Sequence, residues 1–160
     1  LPFELRRSAI GLFMVEVAQK TIREPEENKL LFNFLFDSFC YLDTTDKPVN
    51  NIHLYFLLGL STFLGFLPGG HFDAETPFFD LKEGLFVANA PTAHLYYLDE
   101  KSGELLHALL HSDLANCHLI LMSREQRRLL VHRLLEYYAL HIDHFPVIHT
   151  HKVYQDVLDS

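Results

Sequence analysis

Residues 51–68 read NIHLYFLLGLSTFLGFLP, and they contain no aspartate, glutamate, lysine or arginine. If this stretch forms a helix, apolar side chains cover every side of it, which is typical of a helix that is buried on all sides or lies in a membrane. The uncharged run is shorter than the ~20 residues that a membrane span needs, and His53, Ser61 and Thr62 interrupt it. We therefore predict the central helix of a compact, mainly α-helical domain, enclosed by other helices and not associated with a membrane.

Length and composition predict a single domain over residues 1–160. The chain has 160 residues, 49% of them hydrophobic, with 14 phenylalanines and 7 tyrosines, so it can bury roughly two thirds of its unfolded surface. It begins with leucine and shows no secretion signal, which indicates a piece of a longer protein. Cys40 and Cys117 are too few for a disulfide framework or a zinc knuckle. We expect two buried free thiols and a cytoplasmic location.

Amphipathic helices are predicted on both sides of the central stretch. Residues 5–23 carry an apolar stripe at helical spacing, and Asn28 can cap a second helix. Further along, Ser102 is predicted to cap a short helix, and Ser123 with Gln126 three positions later matches a capping box. The apolar stripes are Ile10, Phe13, Met14, Val17 and Thr21 in the first helix, Leu31, Phe34, Leu35, Ser38 and Leu42 in the second, and Leu130, Leu134, Tyr137 and Tyr138 in the capping-box helix.

The pattern changes between residues 71 and 98. Two short apolar runs, residues 78–81 and 85–87, flank a turn that contains Gly84. This arrangement predicts a small β-hairpin inserted between helices, because short aromatic and branched runs around a glycine-containing turn are typical of hairpins. A last short helix is predicted over residues 150–158, with an inward face formed by Val153, Val157 and Leu158.

The charge balance argues against a dedicated nucleic-acid-binding domain. Thirteen Lys+Arg residues against 21 Asp+Glu residues give a formal net charge of −8, whereas binding to a phosphate backbone usually requires a positive charge. The basic residues are nevertheless partly segregated along the chain, although each cluster taken alone is also consistent with a solvated helix face. The two clusters are Arg6, Arg7, Lys20 and Arg23 in the first segment, and Arg124, Arg127, Arg128 and Arg133 in a later one.

Histidine spacing is the feature that favours an enzyme. His107 and His111 are four positions apart, and His141 and His144 are three apart, spacings that suit zinc or a dinuclear metal site. Neither pair belongs to an HExxH signature, and the chain has no GxSxG, GxxxxGK[ST] or GxGxxG motif. We therefore predict no catalytic residues, no cofactor and no metal, and we keep a histidine-based, metal-dependent enzyme domain as an alternative.

Four stretches, taken in order, resemble one protein family. They are residues 7–43, 53–68, 78–87 and 123–142, and together they cover most of the chain. This order of features is similar to the C-terminal half of the bacterial recombination and repair mediator RecO, in the form found in the Bacteroidetes. Many members of that family carry a four-cysteine zinc site after the central helix. Residues 68–98 contain His71 and His94 but no cysteine, so we expect the hairpin to replace the zinc knuckle.

The resemblance implies a function in DNA repair and homologous recombination. It implies an accessory protein that is not an enzyme, with an N-terminal oligonucleotide-binding barrel that these residues do not include. DNA would be bound mainly through that barrel. The protein would be located in the cytoplasm and associated with the nucleoid. The helical domain would dock partner proteins, chiefly the acidic, hydrophobic C-terminal tail of single-stranded DNA-binding protein, and also RecR. Such docking supports recombinase loading and strand annealing.

Binding of such a tail requires an apolar pocket for a terminal phenylalanine and cations beside it for the carboxylates. The first helix and the capping-box helix combine both ingredients. The predicted partner-binding residues are therefore Arg6, Arg7, Arg124, Arg127, Arg128 and Arg133. An unrelated helical interaction scaffold remains the third interpretation, and the family resemblance is what separates it from the first.

Overall fold

The computed structural model describes residues 3–23, 26–153 and 155–158, apart from the side chain of Val157. It is mainly α-helical with one small sheet, as the sequence predicts. In chain order the elements are α1 (Phe3–Thr21), α2 (Lys29–Thr44), α3 (Ile52–Leu64), β1 (Phe78–Asp80), β2 (Leu85–Val87), β3 (Tyr97–Leu98), α4 (Glu100–Leu110), a 3₁₀ turn (Cys117–Leu119), α5 (Arg124–His141), α6 (His149–Val153) and α7 (Gln155–Leu158).

The uncharged stretch forms α3, and this helix is the centre of the molecule. It contacts α1, α2, α4 and α5, so apolar side chains on all of its sides find apolar neighbours. Gly65 ends the helix in a left-handed conformation with φ 93°, and its N–H donates to the carbonyl of Ser61 at 3.0 Å. Glycine adopts that conformation without a steric penalty. The buried residues of α3 are Ile52, His53, Leu54, Phe56, Leu57, Leu58, Leu60 and Ser61.

Helices α2 and α5, which pack around α3, begin where their predicted caps lie. Asn28 accepts a hydrogen bond from the N–H of Leu31 at 3.0 Å at the start of α2. Ser123 and Gln126 form both bonds of the capping box before α5. All five predicted stripe residues of α1 are buried, as are those of α5. The α5 helix is fastened to α3 by the hydroxyl of Tyr138, which donates to the carbonyl of Leu57 at 2.6 Å.

The predicted hairpin is confirmed and is extended by a third strand. The strands pair antiparallel in the order β2-β1-β3, and Phe79 of β1 lies opposite both Phe86 and Leu98. Gly84 has φ 70° in the turn, which explains the glycine there. The third strand escapes sequence analysis because its two residues are too few to show an alternating pattern.

Three local predictions are wrong. Asp99, not Ser102, caps α4: its carboxylate accepts from the N–H of Ser102 at 2.9 Å, so the helix begins earlier and buries the serine. Cys40 is exposed on α2, whereas Cys117 is buried as predicted. Leu158 is buried as predicted, but Val153 points outward. The predicted last helix is present as α6 and α7 on either side of residue 154, and residue 154 and the side chain of Val157 lie outside the described residues.

Candidate protein-docking site

Asn51 joins three parts of the chain at the start of α3. Its buried side chain donates from Nδ2 to the carbonyls of Cys117 (2.9 Å) and Ile120 (3.0 Å), and its Oδ1 accepts from Nε of Arg127 at 3.1 Å. These bonds replace the usual N-cap bond to the helix, which Asn51 does not make. The segment before α5 and the Arg127 side chain are thereby held against the N-terminus of α3.

Arg127 is the most deeply buried cation of this region, with 8% of its surface exposed. Burial lowers the pKa of its guanidinium, and the positive charge of Arg6 lowers it further. The fold therefore brings the two arginine clusters of the sequence together through Arg6 and Arg127. The N-terminus of α3 carries a partial positive charge of its own, so it adds to the positive potential around Arg127.

A groove of about 320 Å³ lies beside Arg127. Its apolar wall comes from the segment between the 3₁₀ turn and α5, where Leu121 is 89% exposed. That volume is of the size that accommodates a few side chains of a bound peptide. The residues around the groove are Pro48, Asn50, Asn51, His118, Ile120, Leu121, Met122 and Arg127.

Two of the predicted arginines hold the fold together elsewhere. The guanidinium of Arg7 donates to the backbone carbonyls of Asp43 and, at 3.0 Å, Thr45, which fastens α1 to the end of α2. Arg133 donates to Glu136 at 2.7 Å and to the carbonyl of Leu95 at 3.1 Å. Both side chains are thus engaged with parts of the chain other than the groove.

The other two predicted arginines, Arg124 and Arg128, lie on the side of α5 that faces the C-terminal helices. Arg124 is exposed, and its Nη2 atom is 3.9 Å from a carboxylate oxygen of Asp156. Arg128 lies at a second, wider groove of about 470 Å³ between α5 and the α6–α7 segment. This groove is lined by Glu125, Arg128, Leu129, His132, His151 and Gln155.

Sequence reasoning missed the residues that shape the first groove. Asn51 is an uncharged polar residue at the border of a fully apolar helix, and that position was the available signal for a buried amide. The apolar run around Leu121 has no helical period, so its exposure could not be read from the sequence. Both features depend on contacts between segments that are distant along the chain.

The histidines are not assembled into a metal centre in the part of the chain that the structure describes. The ring centroids of His107 and His111 lie 4.2 Å apart. The ring of His107 also contacts the rings of Phe72 and Phe86. The Nε2 atom of His141 lies 2.8 Å from the carbonyl of Leu81. Within the described ranges, no three His, Cys, Asp or Glu side chains are placed to hold one metal ion. No specific observation therefore favours the metal-dependent enzyme.

The structure is a helical domain with a partly apolar groove that contains Arg127. Comparison with known proteins identifies its family. The sequence profile described as "Recombination protein O C terminal" matches residues 2–150. The chain is 34% identical over 160 residues to a DNA repair protein RecO from Bacteroides fragilis, covering 99% of this chain and 66% of the relative. It is 31% identical to the one from Azobacteroides pseudotrichonymphae, covering 96% and 63%.

The chain therefore belongs to the RecO C-terminal family. A further relative, from Christiangramia forsetii, is 37% identical over 86% of this chain and 56% of its own length. The chain spans between half and two thirds of the length of these relatives. No solved structure matches it. Within the described ranges, the helices are all too short or too polar to cross a membrane.

Proposed function

We propose that this chain is the single helical domain, residues 1–160, of a recombination mediator that acts in DNA repair without being an enzyme. Membership of the RecO C-terminal family supports the repair function, as do the relatives named DNA repair protein RecO. DNA is bound mainly by an N-terminal barrel in the longer protein, because the net charge of −8 disfavours DNA binding here. The protein acts in the bacterial cytoplasm, at the nucleoid.

The main partner is the C-terminal tail of single-stranded DNA-binding protein, and RecR is a second partner. Docking of these proteins supports recombinase loading and strand annealing. The observation that carries this proposal is the position of Arg127 in an apolar groove at the N-terminus of α3, with the charge of Arg6 acting on it. The positive charge of Arg6 lowers the pKa of Arg127, and a carboxylate of the tail that binds beside Arg127 offsets this repulsion.

The tail and the groove are complementary in chemistry. The acidic residues and the terminal carboxylate of the tail face Arg6 and Arg127, and the terminal phenylalanine packs on the exposed Leu121. Because Asn51 holds Nε of Arg127 in place, little side-chain entropy is lost when the anion binds. The groove at Arg128 is the competing location, since it also combines a cation with apolar surface.

Fluorescence anisotropy of a labelled tail peptide tests the proposal. We expect saturable binding that weakens as salt concentration rises, because salt screens the charges. Leu121→Ser should weaken binding by roughly five- to tenfold, since it removes apolar surface from the groove. Leu119→Ser is the matched control: this leucine is also exposed, but it does not line the groove, so affinity should stay unchanged.

Two further variants decide the location. Arg128→Ala should leave the affinity unchanged, because Arg128 lines the second groove, and Arg6→Gln should weaken it, because the charge of Arg6 acts on Arg127. Loss of binding in Arg128→Ala with normal binding by Leu121→Ser would move the site to the second groove. A folded chain that does not bind the peptide at all would overturn tail docking as the function of this domain.

A further inference from the structure

We propose that the outward face of α2 pairs with the same face of a second copy of this chain, with the two helices antiparallel and Phe36 at the centre of the contact. The proposal does not depend on tail docking, because α2 contributes no residue to the groove at Arg127. Its basis is that two large aromatic side chains of α2 are exposed to solvent: Phe32 is 64% exposed and Phe36 is 56% exposed.

The exposed aromatic residues form a continuous strip along the helix. Leu31, Ser38 and Leu42 face the core, so the opposite side of α2 is its outward face. The rings of Phe32 and Phe36 stack at 6.0 Å. An apolar groove of about 430 Å³ follows the same face and is lined by Phe32, Leu35, Phe36, Phe39, Cys40 and Asp43. Such a face on one helix is typical of a helix–helix interface.

The charges at the ends of the strip argue for a second copy as the occupant. Lys29 and Asp43 are both exposed, and helical spacing puts them on the same line as Phe36, each seven positions from it. They lie about 21 Å apart along the axis. When two copies pair antiparallel about Phe36, Lys29 of each copy meets Asp43 of the other. Parallel pairing would instead place lysine beside lysine and aspartate beside aspartate, which is unfavourable.

Self-complementarity of this kind generates a closed, two-fold symmetric dimer. The opposed helix dipoles of the antiparallel arrangement add to its stability. The line through Lys29, Phe36 and Asp43 carries one positive and one negative charge, so it is neutral although the whole chain has a net charge of −8. Pairing along this line therefore adds no like-charge contact to the general repulsion between two acidic molecules.

Sedimentation velocity over a range of protein concentrations tests the dimer. We expect the mass of a dimer as the concentration approaches about 100 µM, by mass action. Phe36→Ser should weaken the dimer roughly tenfold or more, because it removes the central apolar contact. Leu30→Ser is the matched control, because Leu30 is 72% exposed on the same helix but lies well away from the line through Phe36. The dissociation constant of the dimer should therefore change by no more than about twofold.

The register is tested by charge reversal and by cross-linking. Lys29→Glu should weaken the dimer, and the double variant Lys29→Glu/Asp43→Lys should restore it. Phe36→Cys in a Cys40→Ser background should form a disulfide-linked dimer, and Leu30→Cys in the same background should not. The native Cys40 should not cross-link, because antiparallel pairing about Phe36 separates the two copies of Cys40 by about 12 Å along the helix axes.

Three outcomes would overturn the proposal. A chain that stays monomeric at every concentration has no such interface. A dimer that survives Phe36→Ser uses another surface. A full-length gene product that stays monomeric and does not cross-link through Phe36→Cys, while the 160-residue chain does both, covers this face with another of its own segments.

Discussion

Glu16 anchors the last part of the described chain to α1. Its carboxylate accepts hydrogen bonds from Nζ of Lys20 (2.6 Å), from the N–H of His149 (2.9 Å), and from the N–H and hydroxyl of Thr150 (both 2.8 Å). Burial by itself raises the pKa of Glu16, but these bonds outweigh it and lower the pKa to about 2. The carboxylate thus serves as the N-terminal cap of α6, which contacts α1.

Replacing this carboxylate should destabilise the fold. We expect Glu16→Gln to lower the free energy of unfolding at neutral pH by about 2 kcal/mol, because charge-assisted hydrogen bonds to two backbone N–H groups are lost or weakened. Since the pKa of the folded state lies below that of the unfolded state, the stabilisation is complete above about pH 4.5 and disappears as the pH falls toward 2. The difference between wild type and variant should therefore shrink in acid.

Urea unfolding at pH 7 and at pH 3 measures this difference. Glu4→Gln is the matched control on the same helix, because Glu4 is exposed. Equal stability of Glu16→Gln and wild type at pH 7 would contradict the anchoring role of Glu16.

At the scale of elements, the close packing of α2 against α3 requires a glycine on α3. Gly59 faces the ring of Phe34, and a Cβ atom at this position would lie 2.4 Å from one ring carbon. The ring cannot easily retreat, since it lies 5.4 Å from the ring of Phe56 and 5.5 Å from that of Phe63. Packing at this contact therefore depends on the absence of a side chain on α3.

We expect Gly59→Ala to lower the free energy of unfolding by about 1–3 kcal/mol, because overpacking outweighs the higher helix propensity of alanine. Gly11→Ala on α1 is the matched control: its Cβ would lie 3.4 Å from Leu42, so we expect little change or a small gain. Thermal unfolding of both variants gives the comparison. A Gly59→Ala variant as stable as wild type would mean that Phe34 repacks freely.

Elements also differ in how far their sequence predicts them. The capping box before α5 and the Asn28 cap before α2 were predicted because a cap involves residues at most three positions apart. The Ser102 prediction failed because Asp99 competes for the same helix start. The Val153 prediction failed because three apolar residues, Val153, Val157 and Leu158, are too few to define the inward face of a short helix.

At the scale of the whole molecule, His53 makes stability depend on pH. It lies in α3 and is fully buried, with its ring 6.0 Å from that of Phe13. Burial lowers its pKa to about 3, and the charges of Arg127 and His151 contribute to the shift. The histidine is therefore neutral in the folded protein throughout the neutral and mildly acidic range.

We expect the free energy of unfolding to fall as the pH drops below about 6.5, because His53 takes up a proton only in the unfolded chain. Protonation of His53 in the unfolded chain lowers the free energy of unfolding by up to about 1.4 kcal/mol per pH unit. This decrease ends near pH 3, where His53 is also protonated in the folded protein. His53→Gln should remove this part of the pH dependence, whereas His132→Gln on the exposed side of α5 should retain it. Urea unfolding at pH 7, 6 and 5 measures the free energy of unfolding of both variants. If this free energy changed with pH to the same extent in both, the role of His53 would be refuted.

The sequence by itself determined the central helix, the amphipathic helices around it, most of the caps and the β-hairpin. All of these depend on the spacing of residue types within a few positions, which periodicity and capping chemistry describe directly. The resemblance to the RecO family also rested on the sequence, because the order of such segments is a property of the chain.

Only the tertiary structure decided which arginines lie near one another. Arg6 joins Arg127 because α1 and α5 both pack on α3, and Asn51 holds Arg127 there through a hydrogen bond between residues far apart in the chain. Arg7 and Arg133 carry the same charge, but their guanidinium groups donate hydrogen bonds to the backbone carbonyls of Thr45 and Leu95. Residue type and spacing cannot separate these cases, because the partner of a charged side chain is set by the packing of distant segments.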